Sequence, residues 1–277
     1  MKWENLERST NVIDKRKKRN KIIGAIAGLT AIVSTFIYGP NLPEYINSAV
    51  KEDNKYTAEA KYTDEIHAEF IKAMLFITED SWSKIFKFKN LTYKNTNLVL
   101  FTDSITSACG HAGFDIGPFY CSGDSTVYMD LDFFDLLSKN LKVIGDASQA
   151  YVVFHEVGHH VQNLLHVLPS VYLRMKKYPE KDANNLLVRL ELQADCYAGI
   201  IFNKSKKILE PGDIAEVVNA ASRIGDDWLQ SRSGKVMPDT FTHGTSEQRA
   251  GWLLHGYKNG TMESCDTFSQ PDTIIKS

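Results

Sequence analysis

The pentapeptide His155-Glu156-Val157-Gly158-His159 sets two imidazoles four residues apart, with a carboxylate next to the first. On an α-helix, positions i and i+4 share a face about one turn apart, so both rings can reach one cation. Glu156 projects beside that cation, where it can take a proton from a coordinated water. This is the chemistry of metal-assisted hydrolysis. Farther along, Glu191-Leu192-Gln193-Ala194-Asp195 places two carboxylates at i and i+4 inside a helical-looking run from Leu186 to Phe202. A catalytic zinc takes three protein ligands and keeps one position for water. His155, His159 and Glu191 are therefore the expected ligands of one Zn2+ per chain. Asp195 is placed to accept a hydrogen bond from the outer nitrogen of a ligating imidazole, fixing its tautomer. An isolated pair of acids at this spacing is ordinarily a solvated helix face. Here Leu192, Ala194, Cys196, Tyr197, Ala198, Gly199, Ile200 and Ile201 surround the acids, and buried carboxylates need a charge partner.

The elements that must hold these groups are legible from periodicity and punctuation. Asp146, with Gln149 three residues on, reads as the N-cap of the helix carrying the first motif. Ala150, Val153, Phe154, Val157, Val161, Leu164 and Leu165 recur at helical spacing, and Pro169 marks the expected stop. Gly158 costs about 1 kcal/mol of helix propensity, which points to close approach by another segment. His160 lies about 100° round the helix from His159; it, His166 and His67 read as structural. Thr63 to Lys84, Pro211 to Leu229 and Ser246 to Tyr257 read as further helices, and Asn97 to Phe101 and Thr126 to Asp130 as short strands. The expected fold is α+β, mainly helical with a small sheet, in one domain spanning 63–277.

Hydrophobic content of 43% and charged content of 24% are ordinary for a globular chain. A net charge of −2 and the lack of a basic stripe in the body of the chain give no reason to expect nucleic acid. The charge that matters is local. Residues 1–21 form a basic N-terminus that ends with six cations in the seven residues from Lys15 to Lys21. The eighteen uncharged residues from Ile22 to Gly39 follow directly. At 1.5 Å per residue such a run covers about 27 Å, close to a bilayer core. The expectation is a single transmembrane helix over 22–39, a cytoplasmic N-terminus, a linker over 40–62 and a catalytic domain outside the cytoplasm. A cleaved signal peptide fits less well, because no small-x-small site follows the run. Four cysteines suit such a domain: Cys109, Cys121, Cys196 and Cys265 permit two disulfides in three connectivities. The short loop favours Cys109–Cys121, which leaves Cys196–Cys265; four reduced thiols are the alternative for a domain in a reducing compartment.

The order H-E-x-x-H then E-x-x-x-D is similar to the gluzincin pattern. Across its length the chain resembles the bacterial putative neutral zinc metallopeptidases. The matching stretches include Met1-Lys2-Trp3, Ser9 to Val12, Ser107 to Gly110, Gly117 to Cys121, Val127 to Leu131, His155 to Gln162, Glu191 to Gly199, Thr242 to Arg249 and Cys265 to Phe268. The resemblance implies a zincin-like fold, zinc, and a peptide or protein substrate. It also places Thr126 to Asp130 where enzymes of this class carry an edge strand on which an extended peptide can lie, an ordinary interior strand being the alternative. By the same resemblance, His243 corresponds to a downstream histidine that donates to the developing oxyanion, a structural role being the alternative for a lone histidine. Arg249, on the helix that follows, is placed to orient Asp195 or a neighbouring carboxylate.

Overall fold

A computed structural model describes residues 1–16, 58–113, 117–141, 143 and 145–269. The apolar run 22–39 and most of the expected linker lie outside these residues. No helix among the described ones is long and apolar enough to cross a membrane.

Six strands are present among the described residues: β1 (Val12–Asp14), β2 (Asn97–Phe101), β3 (Ser104–Ser107), β4 (Gly110–Gly113), β5 (Phe119–Cys121) and β6 (Thr126–Asp130). Four of them form one sheet in the order β1-β2-β6-β5, and β3 and β4 form a separate hairpin. β1, β2 and β6 run parallel, with Val12 opposite Leu98 and Leu98 opposite Val127. β5 lies antiparallel to β6. The strands Asn97–Phe101 and Thr126–Asp130 have the bounds read from the sequence. All five residues of β6 are buried, as a strand covered on both faces and both edges requires. β6 is thus an interior strand, and the expectation of an edge strand there is corrected: β5 covers its flank and is itself the end of the sheet.

Among the described residues, eight α-helices supply most of the fold: α1 (Ala58–Phe88), α2 (Asp132–Leu141), α3 (Asp146–Leu164), α4 (Val167–Met175), α5 (Glu180–Lys204), α6 (Asp213–Arg223), α7 (Asp226–Ser231) and α8 (Ser246–Asn259). The mainly helical α+β architecture is as expected. α3 is the hub. Its Ala150, Val153, Phe154, Val157 and Val161 are fully buried, and it packs against α1, α5, α6, β5 and β6. Its ends differ from the sequence reading. Gly145, at φ 107°, occupies the N-cap, and Asp146 is the first helical residue. The Asp146 carboxylate turns instead to the terminal amine of Met1, 2.9 Å away, because a full positive charge outcompetes backbone N–H groups. At the other end His166 adopts a left-handed conformation (φ 59°) between α3 and α4. Pro169 falls in the first turn of α4, where proline is tolerated, so it does not end α3.

Three further boundaries move. α1 begins at Ala58, inside the expected linker. The helix expected over Pro211 to Leu229 is broken at Ile224 and Gly225 into α6 and α7. Residues 1–16, expected to stand apart from the domain, are built into it through β1 and through Met1, which joins the main core. Both disulfides form: Cys109–Cys121 ties the β3–β4 hairpin to β5, and Cys196–Cys265 ties α5 to the turn after α8.

Candidate metal centre

α3 and α5 meet at the two sequence motifs. An added Cβ on Gly158 would stand 3.1 Å from the Ala194 carbonyl oxygen and 3.2 Å from its Cα. The missing side chain therefore lets α5 come close enough for Glu191 to reach both imidazoles. His155 Nε2 lies 3.1 Å from Glu191 Oε2, and His159 Nε2 lies 3.3 Å from Glu191 Oε1. Donor atoms of these three residues lie within 4.8 Å of one another.

The outer nitrogens are already committed. His155 Nδ1–H donates to Asp195 Oδ1 at 2.8 Å, and His159 Nδ1–H donates to Gln162 Oε1 at 2.9 Å. These bonds select the tautomer that leaves both Nε2 lone pairs converging on one point, the requirement of an imidazole–metal site. The donor set of two imidazoles and one carboxylate fits zinc, and among the described residues no fourth protein ligand joins the three.

Asp195 is completely buried and fully partnered. Besides His155, it accepts from Arg249 Nε at 2.9 Å, Arg249 Nη2 at 3.0 Å and the Tyr151 hydroxyl at 2.5 Å. The expected link between Arg249 and Asp195 is present. Burial works against the Asp195 charge, but Arg249 and then His155 outweigh it and hold the carboxyl at about 2. For His155, burial disfavours the charged ring, yet Asp195 and Glu191 raise its pKa to about 10. Metal uptake at neutral pH therefore displaces a proton. Glu156 is buried one residue beyond His155, and burial pushes its carboxyl up despite the neighbouring imidazoles.

His243 approaches from the segment before α8. Its ring is 51% exposed, with Nδ1 3.2 Å from Asp226 Oδ1. The break between α6 and α7 explains that placement: at the start of α7, Asp226 Oδ2 collects the backbone N–H groups of Thr242, His243 and Gly244 at 2.8, 2.6 and 3.0 Å. Burial lowers the His243 pKa, but the Asp226 hydrogen bond, then the charge of Glu191, raise it overall.

Several positioning groups escaped the sequence reading. Tyr151 stands one turn before His155 on the same helix face, a spacing that could have exposed it. Gln162 is three residues after His159; its amide also donates to Leu190 O at 2.7 Å and to Gln193 Oε1 at 3.2 Å. Gln193 in turn donates to Cys265 O at 3.0 Å, so the chain of contacts reaches the disulfide. Asp226 gave no local signal, because its partners lie 16 to 18 residues away. His160 is structural as expected: its Nε2–H donates to Lys94 O at 2.7 Å, and the Tyr120 hydroxyl lies 3.1 Å from Nδ1.

With that geometry in hand, comparison with known proteins is decisive at the family level. The model of the family described as "Putative neutral zinc metallopeptidase" matches residues 1–268. The chain belongs to this family. Its relatives include YpfJ of Escherichia coli K12, 36% identical over 285 aligned positions that cover 98% of this chain and 99% of the relative. Rv2575 of Mycobacterium tuberculosis H37Rv is 37% identical over 217 positions, covering 73% of this chain and 72% of that protein. Both are described only as uncharacterized proteins. No solved structure matches the chain.

Proposed function

We propose that the chain is a zinc-dependent endopeptidase in which His155, His159 and Glu191 hold one Zn2+ and Glu156 is the general base. The observation that carries this reading is the convergence of both Nε2 atoms on Glu191 while Asp195 and Gln162 occupy the Nδ1 atoms. Zinc bound by that set supplies Lewis acidity for the scissile carbonyl and brings a coordinated water towards a pKa of about 7.

The remaining work falls to the chain. Glu156 takes a proton from the attacking water and delivers it to the departing amine. Its raised pKa suits a group that must both accept and release. His243, whose protonated form the Asp226 hydrogen bond favours, donates to the oxyanion that develops on the carbonyl oxygen. The end strand β5, which packs against α3, takes over from β6 as the place where an extended substrate lies. Two paired disulfides favour an oxidising compartment, and the run 22–39 favours attachment to a membrane.

The test is mass spectrometry of an unbiased peptide library incubated with the zinc-loaded protein and with Glu156→Gln. The expected result is internal cleavage by the parent and a loss of about 100-fold or more in the variant, at unchanged metal content. No cleavage despite stoichiometric zinc would favour a non-catalytic envelope module, and a parallel assay on cell-wall material would detect hydrolysis of a non-peptide amide.

A further inference from the structure

We infer that Tyr120 is a positioning residue for the substrate: through Asn163 and His160 it fixes the end strand β5 to the metal-bearing helix α3, so that an extended peptide laid on β5 meets the metal centre at a set distance. The inference deepens the peptidase reading and rests on it, because that reading makes β5 the strand that takes the peptide.

Asn163 lies four residues beyond His159 and eight beyond His155, so it continues the stripe of α3 that carries the two imidazoles. Its Nδ2–H donates to the Tyr120 hydroxyl at 2.9 Å. The same hydroxyl stands 3.1 Å from His160 Nδ1, while His160 Nε2–H is spent on Lys94 O at 2.7 Å. A neutral imidazole carries one N–H, so Nδ1 is the acceptor and the Tyr120 O–H donates to it. The Tyr120 oxygen thus gives its one proton to His160 and takes a hydrogen bond from Asn163. Both partners belong to the helix that bears His155 and His159.

The opposite face of the strand is held as well. Side chains alternate along β5. Tyr120 turns towards the main core, while Phe119 and Cys121 turn to the cluster of Val99, Phe101 and Tyr128. Phe119 stacks on Tyr128 with ring centroids 4.9 Å apart, and Cys121 is bonded to Cys109, between β3 and β4. β5 is only three residues long and pairs with β6 along one edge. So short a ladder contributes few bonds, and side chains decide where the strand lies. Tyr120 is the one that ties it to the metal side. The outer edge of β5 is the end of the sheet among the described residues, and its main-chain groups are the ones a peptide can pair with. Releasing Tyr120 leaves the pairing with β6 intact but frees the strand to shift against α3. Misplacing a substrate by about 1 Å is enough to cost about 100-fold in rate.

The experiment compares two probes on the zinc-loaded full chain by calorimetry. One is the hydroxamate of a single amino acid, which reaches the metal but not the strand; the other carries the hydroxamate on an extended peptide of five residues. In the parent the longer probe should bind about tenfold or more tightly than the short one, through main-chain pairing with β5. Tyr120→Phe keeps the ring and deletes both hydrogen bonds; it should cut that gain to about threefold or less, with the short probe bound as in the parent. Asn163→Ala deletes one of the two bonds and should fall between, which keeps the test decisive even where Tyr120→Phe folds poorly. An equal gain in all three proteins, or no gain in the parent, overturns the inference. So does an equal loss for both probes, which would put the effect of Tyr120 on the metal centre and not on the strand. A parent that binds neither probe despite stoichiometric zinc would overturn the peptidase reading, and this inference with it.

Discussion

At Asp195 one carboxylate serves two masters. It orients the His155 imidazole and neutralises a buried guanidinium. Replacing Asp195 by Ala leaves Arg249 buried without its counter-ion, a loss of about 3–5 kcal/mol that chemical denaturation would register. The same variant loses the tautomer-fixing bond to His155, so zinc affinity measured by competitive chelation should fall about 10–100-fold. Its contribution to stability is present above the ordinary aspartate range and lost only as the pH falls towards about 2. His243 makes the complementary case for catalysis. His243→Ala should lower kcat by about 100-fold with zinc content unchanged. In the proposed role the donor is the protonated ring, so activity should fall as the pH rises through its raised pKa. Asp226→Asn removes the charge that raises it, which moves the alkaline limb of the kcat profile to lower pH. Glu191 and Arg249, acting in opposite directions on the same ring, stay in place in that variant.

Among the elements, α5 and α8 pack extensively against each other, and two glycines make their close approach possible. A Cβ on Gly256 would lie 2.0 Å from the Cys196 carbonyl oxygen, and one on Gly199 would lie 2.1 Å from the Leu253 carbonyl oxygen. The obstacles are backbone atoms, so no rotamer change relieves them. Gly256→Ala should cost about 1–3 kcal/mol in thermal or denaturant unfolding. It should also weaken zinc binding, since α8 carries the Arg249 that holds Asp195 in place. The sequence signals at this scale were uneven. Helical periodicity located α3, α5 and α8 but not all of their ends, since α5 begins at Glu180 rather than Leu186, whereas β2 and β6 have the bounds read from the sequence. Where a tertiary partner competes with a local signal, the local signal lost. Asp146 abandons its capping role for the Met1 amine, and Gly225 breaks a continuous helical pattern because Ser246 backbone atoms lie against it.

For the molecule as a whole, the two disulfides close loops of very different length. Sequence separations of 12 and 69 residues correspond, by chain entropy, to about 3 and about 4 kcal/mol of stabilisation respectively. Reduction should therefore lower the unfolding midpoint, and the Cys196→Ala, Cys265→Ala pair should lower it more than the Cys109→Ala, Cys121→Ala pair. The longer one also affects the site, because Cys265 O accepts the amide of Gln193, which in turn supports Gln162 and His159. A drop in zinc affinity on loss of Cys196–Cys265, with little change on loss of Cys109–Cys121, is the outcome to look for by calorimetry.

The chemistry was local and so could be read from the chain: two imidazoles and a base within five residues, and an acid pair four residues apart, are fixed by the pitch of a single helix. Helix content, the two central strands and the buried character of α5 followed from periodicity in the same way. What depended on distant partners could not be read so. The parallel pairing of β1 with β2 joins residues 86 positions apart, the interior position of β6 depends on β5 folding back over it, and the seating of His243 depends on a carboxylate from another helix. Strand partnership and ring orientation are decided by which surfaces the whole chain must bury together, and no window of sequence contains that information.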